Sequence, residues 1–286
     1  MWHLLAMSNV PVLQAVQAAE SFRRLHWRRV AGVLGVVAFG STLSTGGALA
    51  DNLTVRAWGE ILYIAASVMA FTALLRLAFI DEHPDDPEFV PGAQGFQFRK
   101  PELRLLGVGA LLVFVLALAA CLAFFVVMVV VAGAGIGKLT ADATPESVAA
   151  AVGPGGRAVV GLVLAGFLAG MLYFSVRIGL ATPATIARKQ ITLFQTWPLT
   201  KGQFWRILAA SALIGLPAIG AGIVVALLTG ILGGTADNPL NLPTALAVGA
   251  IQGMVAGFIA LPLNVGLIAY LYRGLRSKPD VDGVGG

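Results

Sequence analysis

The feature that most constrains this chain is its set of long apolar runs nearly without charge, among them the uniform run from Leu105 to Val131. At 1.5 Å per helical residue that run spans roughly 40 Å, more than the roughly 30 Å of a bilayer's hydrocarbon core. It is expected to tilt or protrude. Only 12% of the 286 residues are charged, about half the usual share in soluble domains. The charges gather between the runs, so lipid is the expected solvent for most of the chain.

Six such runs can be read: 30–50, 58–80, 105–131, 157–176, 204–232 and 244–272. The expected fold is all-α, a polytopic transmembrane helical bundle of six spans with N-terminal and central amphipathic interface helices. Residues 1–29 form an amphipathic lead-in, 30–276 the membrane domain and 277–286 a flexible tail. In the lead-in, Trp2, Leu4, Leu5 and Met7 come first, and Ser8 or Asn9 before Pro11 starts a helix. Val12, Val16 and Ala19 then recur at helical spacing, which suits a helix in the headgroup plane. With Arg23, Arg24, Arg28 and Arg29 placed this late, the first run is expected to stay as a span rather than be cleaved as a signal peptide.

Sidedness follows from counting. Of 19 Lys and Arg residues, three (Arg56, Lys138 and Arg157) fall in the loops after spans one, three and five, which leaves sixteen on the other side. The positive-inside rule then puts both termini in the cytoplasm. The net charge of +5 reflects these loops, and no nucleic-acid partner is expected.

Chemistry is sparse. The one cysteine, Cys121, lies in an apolar run and reads as a small packed hydrophobe. His3, His26 and His83 make no ligand pattern. The run from Gly133 to Lys138 lacks the spacing of a phosphate loop. Thr144 before Pro145 reads as a helix cap. Between 81 and 88 five carboxylates and His83 crowd a loop that four prolines keep irregular as far as Arg104. A divalent-ion site is conceivable there, but a solvated acidic loop is the expectation. Phe96 and Phe98 could dip into the interface or pair as a short strand. Glu60 is expected to reach headgroups or a helix N-terminus, and Arg76 to snorkel. No catalytic residue, metal or cofactor is expected.

Small residues mark packing faces: Gly166 with Gly170, and Gly249, Gly253 and Gly257 at every fourth position. Pro217 and Pro262 should bend spans five and six. Gln252 and Asn264, two polar residues within span six, could line a cavity. They lie about 120° apart around one helix and share no face.

The longest basic interruption in the second half is Ala181 to Arg206. Thr182 before Pro183 reads as a helix cap, and an amphipathic helix of about four turns should follow. Thr200 to Gln203 has the form of a capping box opening the next span. Arg177, Arg188, Lys189, Lys201 and Arg206 could contact lipid headgroups or a partner. Ala187 and the series Trp197, Leu199, Thr200, Lys201, Gly202, Phe204, Trp205 and Arg206 resemble the YciC-like integral membrane proteins. They also resemble the membrane domain of some glycerophosphoryl diester phosphodiesterases. The ending from Ala269 to Arg276 is similar to that family's closing tyrosine–arginine segment, with Gly274 beside the arginine and without the usual Asp. The resemblance implies a multi-span bacterial inner-membrane protein and does not imply phosphodiesterase activity.

The function expected is that of a non-enzymatic accessory, scaffolding or lipid-interacting protein. Its partners would be membrane lipids, a second membrane protein or another copy of itself. The alternative is a transporter or lipid permease with its path near spans five and six.

Overall fold

The computed structural model describes residues 11–133, 145–235 and 237–276, with side chains for all but 130–133 and 145–153 of these. The start of the lead-in with His3, Lys138 in the glycine-rich run, the Thr144 cap and the 277–286 tail lie outside the described residues.

Among the described residues all regular structure is helical. The helices are α1 Val12–His26, α2 Ala31–Leu49, α3 Leu53–Phe79, α4 Lys100–Gly133, α5 Pro145–Ile178, α6 Ala181–Arg188, α7 Phe204–Ile231, α8 Leu242–Val255 and α9 Leu261–Arg276. Six stretches are long and apolar enough to cross a membrane: Val12–Leu49, Leu53–Glu82, Ala93–Val129, Pro154–Arg188, Phe204–Ile231 and Leu242–Arg276. The protein is an all-α, multi-pass membrane protein.

The chain divides into two compact units, Met1–Val108 with Ile178–Gly286, and Gly109–Arg177. In the first, α2 is the central helix, because small residues line two of its faces. A Cβ on Gly40 would lie 2.6 Å from the Tyr63 nitrogen of α3, and one on Gly47 would lie 2.4 Å from the Arg56 nitrogen. From α3, a Cβ on Gly59 would lie 2.3 Å from the Ser44 nitrogen. The second face of α2 takes the glycine series of α8. A Cβ on Gly249 would lie 2.9 Å from the Thr42 carbonyl oxygen, and one on Gly253 would lie 2.3 Å from that of Ala38. One on Gly257 would lie 2.6 Å from the Leu34 carbonyl oxygen. Backbones this close are what glycine at every fourth residue permits, and dispersion between them holds helices together in lipid. That face is filled from within the chain.

Two helices open on asparagine caps. Asn52 and Asn241 open α3 and α8, their side chains accepting from the Val55 and Thr244 amides at 3.0 Å. A 3-10 turn, Trp27–Val30, separates α1 from α2. The apolar face of α1 is not left for lipid. Ala15, Ala18, Ala19 and Phe22 are buried, and a Cβ on Gly266 of α9 would lie 2.9 Å from the Ala19 Cα. A face of alanines is too shallow to hold lipid strongly, but it lets a second helix approach closely.

The two prolines behave differently. Pro217 sits inside an uninterrupted α7. Before Pro262 the helix widens into a π-turn, Ala256–Ala260. A proline ring collides with the carbonyl one turn earlier and donates no hydrogen bond. An added residue in the preceding turn relieves that collision.

The second unit is a pair of helices, α4 from Gly109 and α5 up to Arg177. Val115, Leu116 and Ala119 face Phe167, Gly170, Met171 and Phe174 across an apolar groove of about 220 Å³. Most described side chains here are exposed. Gly166 and Gly170 would meet nothing within 4 Å if given a Cβ. Cys121 is exposed, contrary to the expectation of a packed residue, because this part of α4 faces outward.

Candidate functional site

The polar residues concentrate where the end of α3, the loop after it, the first turn of α4, the elbow after α6 and the end of α9 meet. All belong to the first unit.

At its centre is a buried ion pair. Arg76 of α3 and Glu102 of α4 have side-chain exposures of 1% and 0%, and Arg76 Nη2 donates to Glu102 at 2.9 Å. Glu102 also accepts from the Arg99 amide at 2.7 Å. Arg76 Nε and Nη1 have no hydrogen-bond partner among the described residues. The expectation that Arg76 snorkels is thus corrected. The proline-rich loop folds back and brings a carboxylate to it, which satisfies the charge without exposing the side chain. A pair this dry adds little net stability, but losing either partner strands the other.

Around this pair the acidic loop is tied down on two sides. Glu82 meets Arg273 Nε at 2.7 Å and also contacts Arg276. Arg273 donates to the Ala78 carbonyl and lies 5.2 Å over the Phe79 ring. Phe79 and the buried Tyr272 pack edge to face at 5.9 Å. The tyrosine–arginine end of α9 therefore docks on the end of α3. On the other side Glu88 holds Arg104 at 2.9 Å, and Lys189 contacts Asp86 and lies 3.8 Å from Glu88. Phe89 is buried, stacked on His83 at 4.3 Å. Lys189 beside Asp86, aided by the Glu88 amide, holds the Asp86 carboxyl below its usual range. The solvated acidic loop expected is in fact a neutralised strap: Glu82, Asp86 and Glu88 face Arg104, Lys189, Arg273 and Arg276. With three of its carboxylates engaged by cations, the loop has little capacity for a divalent ion. Among the described residues no group of three or more His, Cys, Asp or Glu side chains is placed to hold a metal.

The elbow departs from its expected form. α6 is two turns long and opens at Leu180 without a side-chain cap, so Thr182 is not the cap. It ends at Lys189, whose φ of 56° lies in the left-handed region. A non-glycine residue there is strained, and the contacts of Lys189 with the acidic loop offset that strain. The chain then folds back so that the Thr192 amide donates to the buried Thr185 hydroxyl at 3.1 Å. Thr200 hydrogen-bonds the Trp197 carbonyl at 3.1 Å, and the cap position of α7 is Gln203 rather than Thr200. Thr200 does not open the span as its cap, because two 3-10 turns, Phe194–Thr196 and Pro198–Thr200, occupy the residues ahead of α7.

The five basic residues singled out in the sequence have different surroundings. Lys189 belongs to the strap. Arg188, Lys201 and Arg206 are exposed. Arg177 lies in the second unit, where its Nε donates to the Tyr173 hydroxyl at 3.1 Å. Asn264 is exposed, whereas Gln252 is half-buried, and its Oε1 has no partner among the described residues. Glu60 accepts from the Ser44 hydroxyl at 2.8 Å.

One apolar cleft, of about 410 Å³, lies in the first unit. Ile61, Ile64, Ala65, Val68 and Met69 of α3 form one wall, and Phe98 and Leu106 form the other. Phe96 and Phe98 form no strand and are exposed. The α3 spacing of three and four residues was present in the sequence as a helical stripe. The second wall was not, since it depends on where the loop returns. Comparison with protein-family models, curated proteins and solved structures finds no match for this chain.

Proposed function

We propose that this is a non-enzymatic accessory or scaffolding protein of a bacterial inner membrane, with both termini cytoplasmic, working by contact with lipid and with other membrane helices. The observation that carries the reading is the character of α4 and α5. No residue in the most apolar window of Ala93–Val129 is buried, and only 6% of the window in Pro154–Arg188 is, against 50% for Leu53–Glu82. Two helices so little used for internal packing offer their sides to the surroundings. The sixteen-to-three distribution of basic residues supports the sidedness. The likeness of Trp197–Arg206 to the YciC-like proteins agrees with the location. Gentle extraction with native lipids, followed by mass identification of what stays bound, tests it. Retained lipid or a retained membrane protein is the expected result. Recovery of the bare chain sinks the reading.

A second reading, a transporter or lipid permease, is favoured by one observation. Gln252 Oε1 is buried without a partner one turn before the π-turn at Ala256–Ala260. Unpaired polar groups and π-turns within a span are found at substrate paths. A cysteine at position 252 in a C121S background that reacts with a water-soluble thiol reagent in sealed vesicles supports it. A cysteine that stays unreactive there removes it.

A further inference from the structure

Five cations of the first unit, Arg76, Arg104, Lys189, Arg273 and Arg276, are engaged by carboxylates of the strap or of Glu102. Arg99 and Lys100 are not. Both are exposed, and among the described residues neither side chain has a carboxylate partner. Arg99 uses its backbone amide on Glu102, which fixes the position of the residue and leaves its guanidinium outward. These two charges directly follow Phe98, which lines the apolar cleft.

We propose that this juxtaposition is a binding site for an anionic phospholipid: an acyl chain in the cleft and the phosphate against Arg99 and Lys100. It deepens the lipid-interacting part of the function proposed above and rests on that reading. The chemistry of the cleft fits one end of such a molecule. From Ile61 to Met69 the α3 wall rises about 12 Å, enough for a substantial part of an acyl chain, and the cleft is lined by apolar side chains. The chemistry beside Phe98 fits the other end. Basic side chains near a membrane surface attract anionic lipid, and an arginine holds a phosphate through paired N–H donors. A zwitterionic lipid would fill the cleft as well but would gain less from the two cations. Selectivity for charge is therefore the signature of this site.

The test uses the full chain in mild detergent, stripped of lipid and titrated with phosphatidylglycerol or phosphatidylcholine under native mass spectrometry. The wild type should retain phosphatidylglycerol several-fold better. The double variant R99Q/K100Q, which keeps the backbone contact to Glu102, should lose most of that preference while still binding both lipids weakly. V68W, which fills the cleft, should reduce retention of both. R56Q, at an exposed arginine in the first turn of α3, serves as the control and should leave the preference unchanged. In intact membranes, a photoreactive residue at position 64 should acquire a lipid adduct. Equal preference in wild type and R99Q/K100Q overturns the site, as does a position-64 adduct with protein alone. Lipid retained with no effect of either variant overturns this site yet leaves the broader function standing. A wild type that retains neither lipid nor protein removes the broader function too.

Discussion

The two units of this protein use the same residue for opposite ends. In the first, glycines on α2, α3 and α8 sit where a neighbouring backbone leaves no room for a Cβ. In the second, Gly166 and Gly170 face open space. Identical small-xxx-small spacing therefore accompanies close packing in one place and nothing of the kind in the other. Spacing marks where helices could approach. Whether they do depends on a complementary face elsewhere in the chain, which α2 supplies with Leu34, Ala38, Thr42 and Gly46 for α8.

The largest expected effect tests the polar centre of the packed unit. E102A should destabilise the protein by about 3–5 kcal/mol, since it leaves a buried guanidinium unpaired. R76M/E102L should recover most of that loss. Thermal unfolding in detergent with a fluorescent thiol-free readout measures both, and equal damage from the single and double variants would show that burial of the pair is not what matters. Next is the glycine contrast itself. G253A places a methyl against the Ala38 carbonyl and should cost about 1–3 kcal/mol. G166A should stabilise by up to about 1 kcal/mol, through helix propensity alone. Matching signs in the two variants would erase the distinction between the units.

A smaller effect concerns the outward side of the second unit. Cys121 should react with an apolar maleimide in detergent without loss of folding, and in membranes a flexible bis-maleimide should give a dimer only if copies associate through α4. An unreactive thiol would mean that this face is covered. The smallest effect is on the strap. Because Lys189 lowers the Asp86 carboxyl below its usual range, their contact is complete above the ordinary aspartate range and fades as pH falls through the lowered value. The protection of the Glu88 amide, which donates to Asp86 at 3.0 Å, measured as exchange relative to the intrinsic rate at each pH, should fall on acidification. D86N should remove that dependence, and persistence of the dependence in D86N would assign it to another group.

Much of the fold was legible because lipid imposes a coarse rule: long charge-free runs become helices. Period and length sufficed for six crossings. The site was far less legible. Arg76 and Glu102 lie 26 residues apart, and Glu82 and Arg273 lie 191 apart, so nothing local in the sequence joins them. The acidic loop looked solvated because its partners come from α4, α6 and α9. The elbow misled for a different reason. Thr182, Thr200 and Gln203 satisfy local cap patterns, but the turn that buries Thr185, Thr192, Thr196 and Thr200 sets the helix ends instead. Local pattern competes with a tertiary arrangement here and loses.

The double-faced packing of α2 has a consequence for synthesis. Its contact with α3 forms within one hairpin, almost as soon as both helices emerge. Its contact with α8 waits for about 200 further residues, roughly 10–40 s at about 5–20 residues per second. During that interval the Leu34, Ala38, Thr42 and Gly46 face is an open groove in a nascent chain. Any helix with a small-residue stripe that passes in time is a competitor for it, and a ribosome that stalls before α8 would release a chain with its central seam unclosed.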